Sequence, residues 1–159
     1  MKAIVIYDSQ FGNTEKIAQA VRDALSDTAE TRLMRASSVA PRDLMAADLL
    51  VVGSPTQRFH ATELVDRFLK GASLHGIRAA AFDTRFDMND VDSRTLRLAV
   101  KVAGDSAYAA PRIAAVLEKA GATMVAAPEG FIVTDTEGPL RDGELERAAE
   151  WARRLLTAH

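Results

Sequence analysis

An open α/β domain, with a mostly parallel sheet covered by helices on both faces, is the fold class this sequence predicts. Three observations predict it. Short apolar runs of strand length recur without polar alternation, segments of helical periodicity separate them, and the resulting order reads βαβ followed by βαβαβα. A chain of 159 residues fits one domain, expected to span residues 1–159, and its 48% of apolar residues suffices for a proper core.

The first element is Ala3 to Tyr7, a continuous apolar run rich in β-branched residues, as a strand buried on both faces requires. From about Asn13, residues Ile17, Ala18, Val21, Ala24 and Leu25 fall on one helix face. Thr31 to Met34 reads as a polar edge strand. Asp48 to Gly53 repeats the pattern of the first strand, and Leu64, Val65, Phe68 and Leu69 mark the next helix. Ile77 to Phe82 is a weaker strand, with alanines in place of branched residues. Ser93 to Gly104 is ambiguous: Leu96, Leu98, Val100 and Val102 alternate as in a strand, while Leu96, Ala99 and Val100 share a helix face. Ile113, Val116, Leu117 and Ala120 form a further helix, ended by Gly121. Thr123–Ala126 and Phe131–Val133 make a last strand broken around Pro128. Leu145, Ala148, Ala149, Ala152, Leu155 and Leu156 define the closing helix.

Composition excludes several functions. Twenty Lys and Arg against twenty-two Asp and Glu give a charge of −2, without the basic surplus that nucleic-acid binding needs. The absence of cysteine removes disulfides, thiol catalysis, iron–sulfur clusters and thiolate-bound zinc. His60, His75 and His159 show no metal-binding spacing. No window approaches the roughly 18 apolar residues of a membrane span, and the apolar N-terminal run is too short for a signal peptide. The expected location is cytoplasmic, with no nucleic-acid partner.

In such a fold, ligands bind beyond the carboxyl ends of the strands. The first such end reads Asp8-Ser9-Gln10-Phe11-Gly12-Asn13-Thr14-Glu15-Lys16. It has neither GxGxxG nor GxxxxGK[ST]. It does have side-chain donors in Ser9, Asn13 and Thr14, a turn-permitting Gly12, and a helix N-terminus aimed into the loop. That is a nest for one phosphate built from neutral donors. The same residue types also simply cap helices, so loop chemistry alone leaves both readings open.

The stretch YDSQFGNTEKIA resembles the phosphate-binding loop of flavodoxins, with matches at Ser9, Gly12, Asn13, Thr14 and Glu15. Phe11 stands where that family usually has a hydroxyl residue; an aromatic there is similar to the flavodoxin-like domains fused to diiron flavoproteins. Gly53-Ser54-Pro55-Thr56 and Ala81-Phe82-Asp83-Thr84-Arg85 resemble the second and third loops of the family. Pro128–Phe131 and Glu137–Leu140, through Gly143-Glu144, resemble its closing strand and turn.

The resemblance implies a five-stranded doubly wound sheet of order 2-1-3-4-5 and FMN as cofactor. Ser9, Gln10, Phe11, Gly12, Asn13 and Thr14 would hold the phosphate. Ser54, Pro55, Thr56, Gln57, Arg58 and Phe59, with Asp83, Thr84, Arg85 and Phe86, would meet the flavin ring, which needs stacking faces and backbone donors. The stacking aromatic is Phe59, Phe86 or Tyr108; Trp151 reads as packing. A cation such as Arg58 near the ring would favour an anionic reduced flavin. Asp87, Asp90 and Asp92 would oppose it by roughly 1 kcal/mol each at about 10 Å, unless they are a solvated acidic turn.

The function implied is electron transfer with a redox partner protein, a reductase or an electron acceptor. The charge of −2 gives little of the long-range steering expected of strongly acidic flavodoxins. Two alternatives stand beside it. One is an FMN-dependent oxidoreductase using NAD(P)H or a quinone-like or porphyrin-like substrate, for which the long stretch Asp87–Ala107 would serve as a lid or partner surface. The other is an interaction protein that keeps the fold without the cofactor.

Overall fold

Successive residues of a strand point to opposite faces, and in the central strands both faces are apolar, so these strands feed two cores. The computed structural model describes residues 1–56 and 61–158. In order, the elements are β1 (Lys2–Tyr7), α1 (Asn13–Ser26), β2 (Glu30–Arg35), α2 (Pro41–Leu44), β3 (Leu49–Pro55), α3 (Ala61–Leu69), β4 (Arg78–Phe86), α4 (Arg94–Ala103), α5 (Ala109–Lys119), β5 (Thr123–Met124), β6 (Glu129–Val133) and α6 (Glu144–Thr157). On one face, Ala3, Val5, Leu49, Val51, Ala80 and Phe82 pack under α1 and α6. On the other, Ile4, Ile6, Leu50, Val52, Ala79 and Ala81 pack under α2, α3 and α5.

The sheet order is β2-β1-β3-β4-β5, with β6 also paired to β4 and every ladder between named strands parallel. The expected order holds, and the break around Pro128 has a clear form. Ala79 pairs with Met124, an offset of 45 residues, whereas Phe82 pairs with Glu129, an offset of 47. Two extra residues therefore bulge out between β5 and β6, where Pro128 has no N–H to give to the ladder. Six strands fill five positions. The polar run at Thr31–Met34 is the edge strand β2, with a half-exposed burial pattern.

Phe82, Phe131 and Trp151 meet edge-to-face with all three ring centroids 6.0 Å apart, so Trp151 is packing, as expected. The Phe82 ring lies across Gly53 on the neighbouring strand, in the space a Cβ would need. Gly53→Ala should therefore overpack this face and lower stability by about 2 kcal/mol in denaturant titrations.

The ambiguous segment is helical. Ser93 Oγ accepts from Leu96 N at 3.2 Å to start α4, and Gly104 ends it at φ 59°. Its strand-like alternation arises because α4 carries apolar residues on two sides. None of its residues is buried.

Candidate functional site

Because β1, β3, β4 and β6 run parallel, their carboxyl ends and following loops share one edge of the molecule. At the first, Ser9 Oγ accepts from Gly12 N at 3.0 Å and folds the loop onto itself. Gly12 takes φ 90°, which suits glycine, and α1 begins at the next residue. No side chain caps α1, so the first-turn N–H groups lack the usual acceptor. Thr14 is 1% exposed, and its hydroxyl bonds that of Thr84 at 2.8 Å, tying α1 to β4. Asn13 Nδ2 donates to the Glu137 carbonyl at 3.1 Å.

Arg35 Nη1 donates to the Ser9 carbonyl at 3.2 Å and lies 3.7 Å from Asp8, and Arg35 Nη2 lies 4.0 Å from Glu15. These carboxylates offset its charge. Tyr7 donates its hydroxyl to Glu15 at 2.9 Å; burial, then the Glu15 carboxylate, raises its pKa above the ordinary phenol value.

Beyond the loop opens a cleft with an empty volume of about 450 Å³. It brings together Gln10, Phe11, Asn13, Thr14, Pro55, Thr56, Thr84, Arg85 and Phe86 from the sequence reading, and adds Val133 and Thr136. Ser9, Gly12, Ser54 and Asp83 are not among its lining residues. Gln57, Arg58 and Phe59 lie outside the described residues. Among aromatics, Phe11 is 41% and Phe86 36% exposed, so both offer a face to a ligand. A second cleft adjoins the first through Thr56, Arg85 and Phe86, and is lined further by Met88, Leu96, Val100, Ala107 and Tyr108.

The Asp83 side chain has a structural role. It is fully buried, accepting from Arg85 Nε at 2.6 Å, Arg85 Nη2 at 2.7 Å and Ala110 N at 2.8 Å. Its carboxylate is committed to holding Arg85 and the start of α5. The Arg85 guanidinium in turn stacks on the Tyr108 ring at 3.7 Å and occupies the space beside Gly130. One face of Tyr108 is thus already covered, leaving Phe86 as the better exposed of the two described stacking candidates.

The acidic loop after β4 is partly paired. Arg141 Nη2 donates to both Asp87 and Asp90 at 3.0 Å. The Asn89 N–H, then Arg141, hold the Asp87 pKa below its ordinary value. The loop is partly neutralised by a cation some fifty residues downstream.

Behind β6, Glu144 accepts from Ile132 N at 2.6 Å and from Arg147 at 2.7 Å and 2.9 Å, while Arg147 lies over the Phe131 ring. Burial acts to raise the Glu144 pKa, but the Arg147 and Ile132 hydrogen bonds outweigh it and the net shift is downward. The stabilising contribution is therefore complete above the unfolded value of about 4.3 and is lost as pH falls through the lower folded value. Glu144→Gln should flatten stability against pH in this acid range, measured by denaturant titrations at a series of pH values.

A parallel α/β sheet with helices on both faces and a cleft at its carboxyl edge places the chain in the doubly wound class, in which ligands generally bind at that edge. The Flavodoxin family model matches residues 5–151, and the chain belongs to the flavodoxin family, whose members generally bind FMN and pass electrons to partner proteins. A flavodoxin of Aquifex aeolicus (strain VF5) is 40% identical over 57 residues, covering 35% of this chain and 31% of that relative. The match thus spans about a third of the relative's length.

Oxidised Flavodoxin 1 from Bacillus cereus superposes with a TM-score of 0.75 at 19% identity, covering 99% of this chain and 98% of that one. A flavodoxin from the domain Archaea gives 0.74 at 22%, covering 99% and 97%. The Flv1 flavodiiron core from Synechocystis sp. PCC6803 gives 0.70 at 17%, covering 99% of this chain and 35% of that one. At these identities the likeness shows the fold. Among the described residues no helix is long and apolar enough to cross a membrane.

Proposed function

We propose that this chain is a one-domain electron carrier, working in the cytoplasm, that holds FMN in the first cleft and exchanges electrons with a reductase or an acceptor protein. The observation that carries this reading is the uncapped start of α1, opening into a cleft lined also by Phe11 of the same loop and by Phe86 at the end of β4. The donor set fits a phosphate monoester at one end and a flat apolar ring toward the other. Ser9, Gln10, Phe11, Gly12, Asn13 and Thr14 are assigned to the phosphate end. Ser54, Pro55, Thr56, Gln57, Arg58 and Phe59, with Asp83, Thr84, Arg85 and Phe86, are assigned to the ring end.

When bound, FMN supplies transfer of one or two electrons. The chain's own part is placement and electrostatics. Thr84 and Thr14 lock β4 to α1, Thr56 Oγ1 accepts from Ala109 N at 3.1 Å to fix the base of the ring end, and Arg85 keeps a paired cation in the wall. Shielding by Asp83 weakens the pull of Arg85 on any added negative charge. An FMN-loaded sample should oxidise NAD(P)H slowly by itself and be reduced rapidly once a separate flavodoxin reductase is added. The adjoining apolar cleft supports a second reading, an oxidoreductase with a small apolar substrate. Fast NAD(P)H oxidation with a quinone acceptor, and no added reductase, would select it.

A further inference from the structure

Helix α4 is amphipathic in sequence yet buries none of its residues. At 3.6 residues per turn its side chains sort into three strips. Leu96 and Val100 line the second cleft. Leu98 and Val102, one turn apart, point elsewhere and are 62% and 80% exposed. Beside them run Arg94, Arg97 and Lys101, all exposed. Among the described residues none of these three cations pairs with a carboxylate. No acid interrupts the helix from Arg94 to Ala103, and Asp92 stands before its first turn. The nearby Asp87 and Asp90 are already engaged by Arg141 and do not cancel the strip.

Like charges at i, i+3 and i+4 destabilise a helix by a few tenths of a kcal/mol per pair, about 0.2–0.5. An apolar pair left in water forgoes its burial as well. Both losses are recovered against a surface that is acidic with an apolar centre. We infer that the outward face of α4, formed by Arg94, Arg97, Leu98, Lys101 and Val102, is the docking surface for a partner protein with an acidic, partly apolar face. A lipid surface fits less well, since two aliphatic side chains and no exposed aromatic give the helix little to insert.

Docking there places the partner on the far side of the helix that lines the second cleft, which adjoins the first through Thr56, Arg85 and Phe86. That the partner is a redox protein rests on the electron-carrier reading; the docking face itself does not.

The test uses ¹⁵N-labelled full-length protein, with two forms of one probe: native cytochrome c, which is basic, and its succinylated form, which is acidic. The succinylated form should shift the backbone amides of residues 94–103, and its affinity should fall at least ~10-fold between about 20 and about 200 mM salt. Arg97→Glu/Lys101→Glu should lower that affinity at least ~10-fold. Leu98→Ser should weaken binding without altering its salt dependence. Shifts confined to other surfaces, an equal response to the basic form, or a response only to phosphatidylglycerol vesicles would overturn the inference. FMN binding without α4 shifts refutes the docking surface alone, whereas α4 shifts without FMN binding refute the carrier reading alone.

Discussion

Thr14→Asp is expected to weaken FMN binding about a thousand-fold while leaving riboflavin binding nearly unchanged. Thr14 sits 1% exposed in the first turn of α1, its hydroxyl 2.8 Å from that of Thr84. A carboxylate of similar size is tolerated there in the ligand-free protein. It can accept from the Thr84 hydroxyl, and a helix N-terminus favours an anion by about 0.3–1 kcal/mol. The phosphate of FMN would then meet a like charge in the same nest. At about 4 Å and an effective dielectric near 20, one pair of unit charges costs about 4 kcal/mol, or three decades in affinity. Riboflavin has no phosphate and acts as the control. Fluorescence titration of both flavins separates the cases: an equal loss for both would mean the loop has been disrupted or the phosphate lies elsewhere.

Asp83→Ala is expected to lower stability by about 3 kcal/mol, because it strands a largely buried cation. The guanidinium of Arg85 has 20% of its side chain exposed, and its bidentate partner would be gone. The Ala110 N–H at the start of α5 would also lose its acceptor. Urea titration measures the loss. Asp83→Ala/Arg85→Met should be less destabilised than Asp83→Ala alone, since an apolar side chain against Tyr108 needs no counter-charge. If the double substitution is the worse of the two, Arg85 stabilises through packing rather than through Asp83.

The order of elements was legible because the strands β1 and β3 are buried on both faces and read as unbroken apolar runs. Local chemistry also marked the loop from Ser9 to Thr14, since a nest needs neighbours in sequence. What escaped notice was long-range. The partner of Asp87 and Asp90 is Arg141, and the cleft takes Val133 from the end of β6 and Thr136 from beyond it. Nothing local announces a pairing across fifty residues. Asp83 came into the candidate site through the family resemblance, and its sequence neighbourhood did not show that its carboxylate is buried and paired with Arg85 two residues on. In α4 the period-two alternation left strand and helix both open for a physical reason: a helix that buries none of its residues can carry apolar residues on two sides, because no single core selects one face.

The most direct measurement is equilibrium titration of the purified, flavin-free protein with FMN, followed by quenching of flavin fluorescence. The expected result is saturation at one FMN per chain, with riboflavin bound more weakly because it leaves the α1 nest empty. No quenching at excess FMN, or equal affinity for the two flavins, would contradict a phosphate site at the junction of β1 and α1.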